Sequence, residues 1–432
     1  MPIFIFMRLS HEDNLPFCIE WICSTYKGGY FRGISLKISY ICVGGPNLFI
    51  FLPVDTMSEQ VVGLEGWRKN GLIPEWSRVD AVILAWPDST MDWGYIIDDV
   101  YECYIDIIDH LLEYSDVVLL IDDFQDVPME CMNRWASGEL GHELIPIFDF
   151  SLNDTWMRDV MPLFGMQEGE RVAYDFGFNG WGLKFASNRD NQAVRELFFE
   201  RKLFDSSVRY INRLETILEG GAIDVNSRGE LLTTDSVLRE ANRNPSYPKE
   251  CQDLYFPKEM GVQRVFELEG ITPMSGDDTD GHIDTLARWV DDETIVYCAT
   301  KDTADDHYKR LKHLELELQK LRNNEGKPYR LVPLPIPSPM EDEMGDTLPA
   351  TYANFLIVNG AVLVPIYSDP KDEEALRIIQ EAMPKYEVVG IECSALVQQH
   401  GSLHCITMQV PKGFINIYED EDRNHTAAQW GI

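Results

Sequence analysis

The chain has no Cys-x-x-Cys pair, although cysteine occurs at nine positions: 18, 23, 42, 103, 131, 251, 298, 393 and 405. An odd, scattered set with no paired metal spacing argues against a disulfide scaffold and a structural zinc site. It fits reduced thiols in the cytoplasm. A long unbroken apolar run is also missing. The best stretch, 40–54, is interrupted by Gly44-Gly45-Pro46-Asn47 and falls short of the roughly 20 residues a membrane helix needs. No segment combines the basic start, apolar centre and small-residue cleavage site of a secretory signal. Positive charge is scarce: 37 Lys and Arg stand against 72 Asp and Glu, a formal net charge of -35. Such a surface repels nucleic acid and anionic membrane and attracts small cations. Nucleic acid and membrane are therefore not expected partners.

What the chain does have is size and an apolar share large enough for a substantial core, 432 residues at 45% hydrophobic. Residues 1–56 read as foreign to the rest. They hold four basic and four acidic residues, so the whole net charge belongs to 57–432. The expectation is that Met57 is the true start, that 1–56 is an atypical extension, and that 57–432 is a single catalytic domain. Its acidic end, Glu419-Asp-Glu-Asp422, reads as a solvated tail. Apolar runs predict strands at 79–85, 117–121, 144–148, 231–234, 294–299, 361–367 and 414–418. Periods of three and four predict helices at 95–114, 191–204, 210–217, 303–323 and 372–383. The Pro-rich 331–339 reads as extended. Alternating strands and helices place the chain in the α/β class. No repeat is visible in the sequence.

Five short motifs carry candidate chemistry. Cys405 follows a Gly401-Ser402 turn and opens an Ile406, Met408, Val410 alternation. A thiol at such a junction, flanked by His400 and His404, can be held as thiolate and act as a nucleophile. A lone cysteine is otherwise an ordinary small hydrophobe. Trp156-Met-Arg-Asp159 sets a carboxylate beside an aromatic, a pair able to grip a planar cation, or else an Arg158–Asp159 ion pair. Glu219-Gly-Gly gives an acid beside two residues that permit close backbone approach. In Gly281-His-Ile-Asp284, an extended backbone would point His282 and Asp284 the same way, an imidazole beside a carboxylate. Asn354 and Asn359 are candidate loop contacts, and Asn359-Gly360 is an ordinary hairpin signal. No third ligand with matching spacing completes a metal site around His282.

In this order, Trp156-Met-Arg-Asp159, Glu219-Gly-Gly, Gly281-His-Ile-Asp284, Tyr352-Ala-Asn354-Phe and His404-Cys405 resemble the agmatine deiminases. The bacterial-type peptidylarginine deiminases share most of the series. Trp86-Pro87, Asn179-Gly-Trp-Gly182 and Asn242-Arg-Asn-Pro245 extend the likeness over about 76–411. Two features depart from it: Gln399-His-Gly-Ser stands where a glycine run is common, and Asp88 follows Trp-Pro where many members have a His.

The resemblance implies a pentein fold, a five-bladed α/β propeller with pseudo-fivefold symmetry. It implies deimination of a small cationic guanidine without metal or organic cofactor, as in putrescine biosynthesis. By motif position Cys405 is the nucleophile and His282 the general acid and base. Asp159 and Asp284 clamp the guanidinium, and Glu219 partners His282 and a guanidinium nitrogen. Trp156 and Asn354 contact substrate. Agmatine is the first expected substrate. A peptidyl-arginine substrate, amidino transfer to an amine and a non-catalytic cation-binding propeller are the alternatives. A papain-type hydrolase fits less well, because its cysteine precedes its histidine. Homo-oligomerisation is left open.

Overall fold

A computed structural model describes residues 19–27, 30–38 and 258 by their backbone, and residues 67–245, 256 and 259–416 in full. Two compact units divide the chain, Met1–Glu59 and Gln60–Ile432. Within the first, Ile19–Lys27 and Tyr30–Ile38 pair as an antiparallel hairpin with Lys27 opposite Tyr30.

The second unit is a mixed α/β fold in which one sheet pattern recurs five times: an antiparallel pair with a parallel strand added on one side. Asp224–Val225, Glu230–Thr234 and Arg264–Leu268 form one such sheet. Ala287–Asp291, Thr294–Cys298 and Arg330–Leu334 form another, and Leu356–Val358, Ala361–Ile366 and Glu387–Glu392 a third. Leu163–Gln167, Glu170–Gly177 and Arg209–Ile217 repeat it, with the short Gly71–Leu72 on the far edge. In the fifth sheet of this pattern the antiparallel partner comes from the other end of the chain. Met408–Pro411 pairs with Val79–Ala85, followed by the parallel strands Asp116–Leu120 and Leu144–Ile147. A further two-stranded sheet pairs Met340–Glu341 with Thr347–Leu348. The centre of Val79–Ala85 is wholly apolar and buried, as expected of a strand covered on both faces. Helices close the outer faces. Ile97–Leu111 buries Val100, Tyr104, Ile107, Ile108 and Leu111 at spacings of three and four, and Asp372–Ala382 does the same with Ala375, Ile379 and Ala382.

Several elements differ from the sequence reading. The segment 210–217, read as helical from Tyr210, Ile211, Leu214 and Ile217, is the edge strand Arg209–Ile217. Its aromatic and β-branched side chains suit a half-buried strand, and parallel pairing with Glu170–Gly177 overrides a helical period only two turns long. The expected helix at 191–204 is a string of short pieces between Asp190 and Glu200, ended by Lys202 in the left-handed region at φ 54°. The charged helix is trimmed to Tyr308–Lys320. Part of the Pro-rich stretch is the edge strand Arg330–Leu334. No strand forms at 414–416, where Ile415 makes an isolated bridge to Phe204; positions 417–418 and the acidic tail lie outside the described residues. Among the described residues no helix is long and apolar enough to cross a membrane.

The two-residue turn Asn359-Gly360 joins the strands Leu356–Val358 and Ala361–Ile366, with Gly360 at φ 85°. Its asparagine ties this sheet to its neighbour. Asn359 accepts the Val79 N–H at 3.0 Å and donates to the carbonyls of Val79 (2.9 Å) and Tyr114 (3.1 Å). Asn359→Ala removes all three bonds, and we expect a loss of about 1–3 kcal/mol in urea denaturation. A change below about 0.5 kcal/mol, typical of a neutral surface position, would refute this seam.

Candidate active site

Four separate loops deliver the candidate residues to one place. Trp156 precedes the single turn Met157–Val160, which carries Asp159 and hydrogen-bonds back to the cysteine loop through Arg158 N–H to Cys405 O at 3.0 Å. Gly220–Ala222 is a 3-10 turn following Glu219. Both glycines are needed for close approach. A Cβ on Gly220 would lie 2.2 Å from the Arg158 carbonyl. One on Gly221 would lie 2.6 Å from His282 Nδ1, 2.9 Å from Asp159 Oδ1 and 3.0 Å from Asp284 Oδ2. Three side chains from two distant parts of the chain thus meet over one bare α-carbon. His282 and Asp284 do face the same way, but not through an extended backbone: His282 leads into the 3-10 turn Ile283–Thr285. Cys405 lies in the turn before Met408–Pro411, with Sγ 3.8 Å from Asp284 Oδ2 and 3.4 Å from Asn354 Oδ1.

The carboxylates are buried and selectively satisfied. Asp159 accepts from Trp181 Nε1 at 3.0 Å and Gly221 N–H at 2.9 Å, and its Oδ1 is 3.7 Å from His282 Nδ1. Burial pushes its pKa up, against the opposing pull of His282. Asp284 is held below its ordinary value: burial works against this, but the hydrogen bond and charge of His404 outweigh it. Two buried atoms, His282 Nε2 and Asp284 Oδ1, have no hydrogen-bond partner in the protein. A buried polar atom left unpaired costs about 1–3 kcal/mol, so this pair marks where a ligand with N–H groups would be welcome.

Some residues are placed differently from expectation. Glu219 was expected to partner His282; its observed partner is Arg243, whose Nε donates at 2.7 Å, and Arg243 is fixed further by Asp280 and the Thr279 carbonyl. Arg158 does not pair with Asp159 but reaches Glu75 and Gln409. Asn354 is wholly buried and works as a scaffold: its Oδ1 accepts the His404 N–H at 2.9 Å and the Cys405 N–H at 3.4 Å. Trp156 packs against Trp93 and Trp181, and a Cβ on Gly401 would strike its ring at 2.1 Å. The flanking histidines do not activate the thiol. His400 Nδ1 meets the Gly276 carbonyl at 2.7 Å, and the His404 ring is taken up by two carboxylates. Burial, then Asp284 and Asp159, push the Cys405 thiol well above its ordinary value. Asp88 is buried and turned to its own loop, accepting the Thr90 N–H.

One residue escaped the sequence reading altogether. Glu75 binds His404 Nε2 (2.9 and 3.0 Å), Arg158 Nη1 (3.2 Å), Arg288 Nη2 (2.5 Å) and Gln409 Nε2 (3.2 Å). The only hint was an acid among apolar neighbours in Ile73-Pro-Glu-Trp76. Among the described residues no group of three or more His, Cys, Asp or Glu has the geometry of a metal site.

The family model for Porphyromonas-type peptidyl-arginine deiminase matches residues 71–411. The chain belongs to that family. A C. jejuni agmatine deiminase, a cysteine-to-serine variant solved with substrate bound, is 33% identical with a TM-score of 0.71, covering 79% of this chain and 96% of its own. A Porphyromonas gingivalis structure, described provisionally as an arginine deiminase, is 44% identical with a TM-score of 0.73, covering 80% and 99%. The agmatine deiminase of Stutzerimonas stutzeri is 27% identical over 79% of this chain and 95% of its own length. This deiminase-family chain is an enzyme, a hydrolase of C–N bonds in amidine-type groups.

Two tests follow from the geometry. Gly221→Ala inserts a methyl among three site groups, so we expect kcat/KM to drop about 100-fold or more while circular dichroism is unchanged; near-normal turnover would mean these groups do not act together. With the thiol pushed up, alkylation of the free enzyme by iodoacetamide should keep accelerating past about pH 9, the ordinary thiol value. A plateau near pH 7 would mean a thiolate already formed.

Proposed function

We propose that this deiminase is an agmatine deiminase, hydrolysing agmatine to N-carbamoylputrescine and ammonia through an amidino-cysteine intermediate. The observation that carries the reading is the convergence on Gly221 of His282, Asp159 and Asp284, with Cys405 Sγ 3.8 Å from Asp284. Residues 57–432 would form one catalytic domain, and the five sheets of the recurring pattern would form the blades of a propeller. The recurring sheet pattern and the pairing of Met408–Pro411 with Val79–Ala85 support that arrangement.

A guanidinium is a poor electrophile because resonance stabilises it. Asp159 and Asp284 would hold it in plane, with its carbon over the sulfur, which supplies proximity. Its charge offsets the two carboxylates that disfavour the thiolate. His282 takes the Cys405 proton and the sulfur attacks the guanidinium carbon. His282 returns that proton to the departing nitrogen, so the C–N bond breaks and ammonia leaves. His282 then deprotonates water, whose oxygen adds to the amidino carbon. The C–S bond breaks, the sulfur recovers a proton from His282, the added hydroxyl gives up its proton to solvent, and a neutral urea-type product forms. Losing its positive charge, the product no longer matches a pair of carboxylates, which favours release.

Peptidyl-arginine is the second reading, favoured by the family to which the chain belongs. Ammonia release from agmatine, free arginine and an arginyl peptide separates the two. We expect turnover of agmatine, a loss of about 1,000-fold or more in Cys405→Ser, and a covalent adduct by mass after quenching. Citrulline from the peptide alone moves the substrate to the second reading. No turnover of any guanidine removes deimination altogether.

A further inference from the structure

Asp284 is also held by a buried chain of charge that the deimination steps above do not use. The His404 ring is sandwiched between two acids: Nδ1 is 2.8 Å from Asp284 Oδ2, and Nε2 is 2.9 and 3.0 Å from the two Glu75 oxygens. His404 and Asp284 are each 1% exposed at the side chain, Glu75 16%. A neutral imidazole has one N–H and could satisfy only one of these acids. Neither acid is poised to supply the missing proton. Burial raises Glu75, but Arg158 and Arg288 lower it and, with Gln409, donate to it, so it stands ionised whatever His404 carries. Donation from both ring nitrogens is then the arrangement that satisfies both acids.

Every charged neighbour fits this assignment. Glu75 is gripped by Arg158 from the turn Met157–Val160, by Arg288 from the strand Ala287–Asp291 and by Gln409 from Met408–Pro411. Arg288 is itself anchored on Asp224 at 3.1 Å. The same Oδ2 that His404 holds lies 3.8 Å from Cys405 Sγ and beside the bare Gly221 carbon, where His282 and Asp159 also approach, while Oδ1 has no partner.

We infer that Glu75 and His404 form a positioning dyad: Glu75 keeps His404 doubly protonated, and His404 fixes one oxygen of Asp284, leaving the other, unpartnered oxygen for the guanidinium. The dyad rests on the proposed deimination for its purpose, not for its protonation state. It touches neither sulfur nor substrate. An Asp284 without it would be free to turn and, buried near Asp159, to take up a proton; a neutral carboxyl grips a cation poorly.

The first test uses the resting enzyme. In 15N-histidine-labelled protein, both His404 nitrogens should report as N–H at pH 7. An unprotonated ring nitrogen at pH 7 overturns the dyad. The second uses Glu75→Gln with agmatine. We expect kcat to fall about tenfold or more with KM moving less than about threefold, and the alkaline limb of the kcat/KM profile to move at least about one unit lower. Glu75→Asp should restore part of both. A Glu75→Gln enzyme with unaltered kcat and pH profile, merely less stable, overturns the positioning role. Should Glu75→Gln fail to fold, the histidine spectrum still decides. Absence of turnover in the wild type would refute deimination while leaving the spectrum to judge the dyad.

Discussion

Asp159, Glu219 and Asp284 are buried together, and like charges in a low-dielectric site repel. Two unit charges about 4 Å apart at an effective dielectric of about 20 interact by about 4 kcal/mol, comparable to the stability of a marginal domain. The rest of the site reads as the means of holding these acids where they would not stay by themselves. Each acid has fixed partners on one side: Trp181 and the Gly221 N–H for Asp159, Arg243 for Glu219, His404 for Asp284. Those partners satisfy part of each carboxylate. Asp284 keeps an oxygen that nothing in the protein bonds.

Holding acids against repulsion needs a rigid frame, and the repeated sheets supply it. Asp159 precedes Leu163–Gln167, Glu219 follows Arg209–Ile217, Asp284 precedes Ala287–Asp291 and Cys405 precedes Met408–Pro411. Every one of these groups sits within a few residues of a strand, so moving one means moving a sheet edge. Cross-ties such as Asn354 to the His404 and Cys405 N–H groups join loops that are far apart in sequence. A misplacement of about 1 Å at such a site can cost about 100-fold in rate, which gives that rigidity a functional meaning.

How far the sequence discloses this depends on whether a feature is local. Strand Val79–Ala85 is apolar but for Asp80, and the expected bounds match the observed ones; helix Asp372–Ala382 has an unambiguous period. Segment 209–217 misled because Tyr210, Ile211, Leu214 and Ile217 satisfy a helical spacing over too few turns, while the hydrogen bonds that decide it come from Glu170–Gly177. The site divides in the same way. Cys405, His282, Asp159, Glu219 and Asp284 stand in motifs whose types signal chemistry. Glu75 does not: a single acid in an otherwise plain stretch acquires its role only from residues brought to it by folding, and Arg243, though within Asn242-Arg-Asn-Pro245, gives no sign in the sequence of its partner. The Arg243 contact also redirects Glu219, which spacing alone could not foresee. His404 illustrates the opposite error. Adjacency to Cys405 implied activation of the thiol, yet consecutive side chains diverge, and the ring is spent on Asp284 and Glu75.

A thiol kept protonated by its surroundings looks like a poor design for a nucleophile until the ligand's charge is included. The carboxylates that disfavour a thiolate in the free site are those that would bind a guanidinium, and a bound cation reverses the sign of the local field. A neutral or anionic molecule entering the pocket meets an un-ionised sulfur and a repulsive pair of acids. On the proposed reading, the cation to be cleaved would bring the charge that ionises its own attacker. Specificity would then lie in the coupling of binding to activation as well as in shape. The same coupling would end the cycle, since a neutral product withdraws the charge and lets the thiol recover its proton. Such a scheme requires that the acids stay ionised while no substrate is present, against their mutual repulsion. For Asp284 that condition is met by the His404 contact, and behind it by Glu75 with its two arginines.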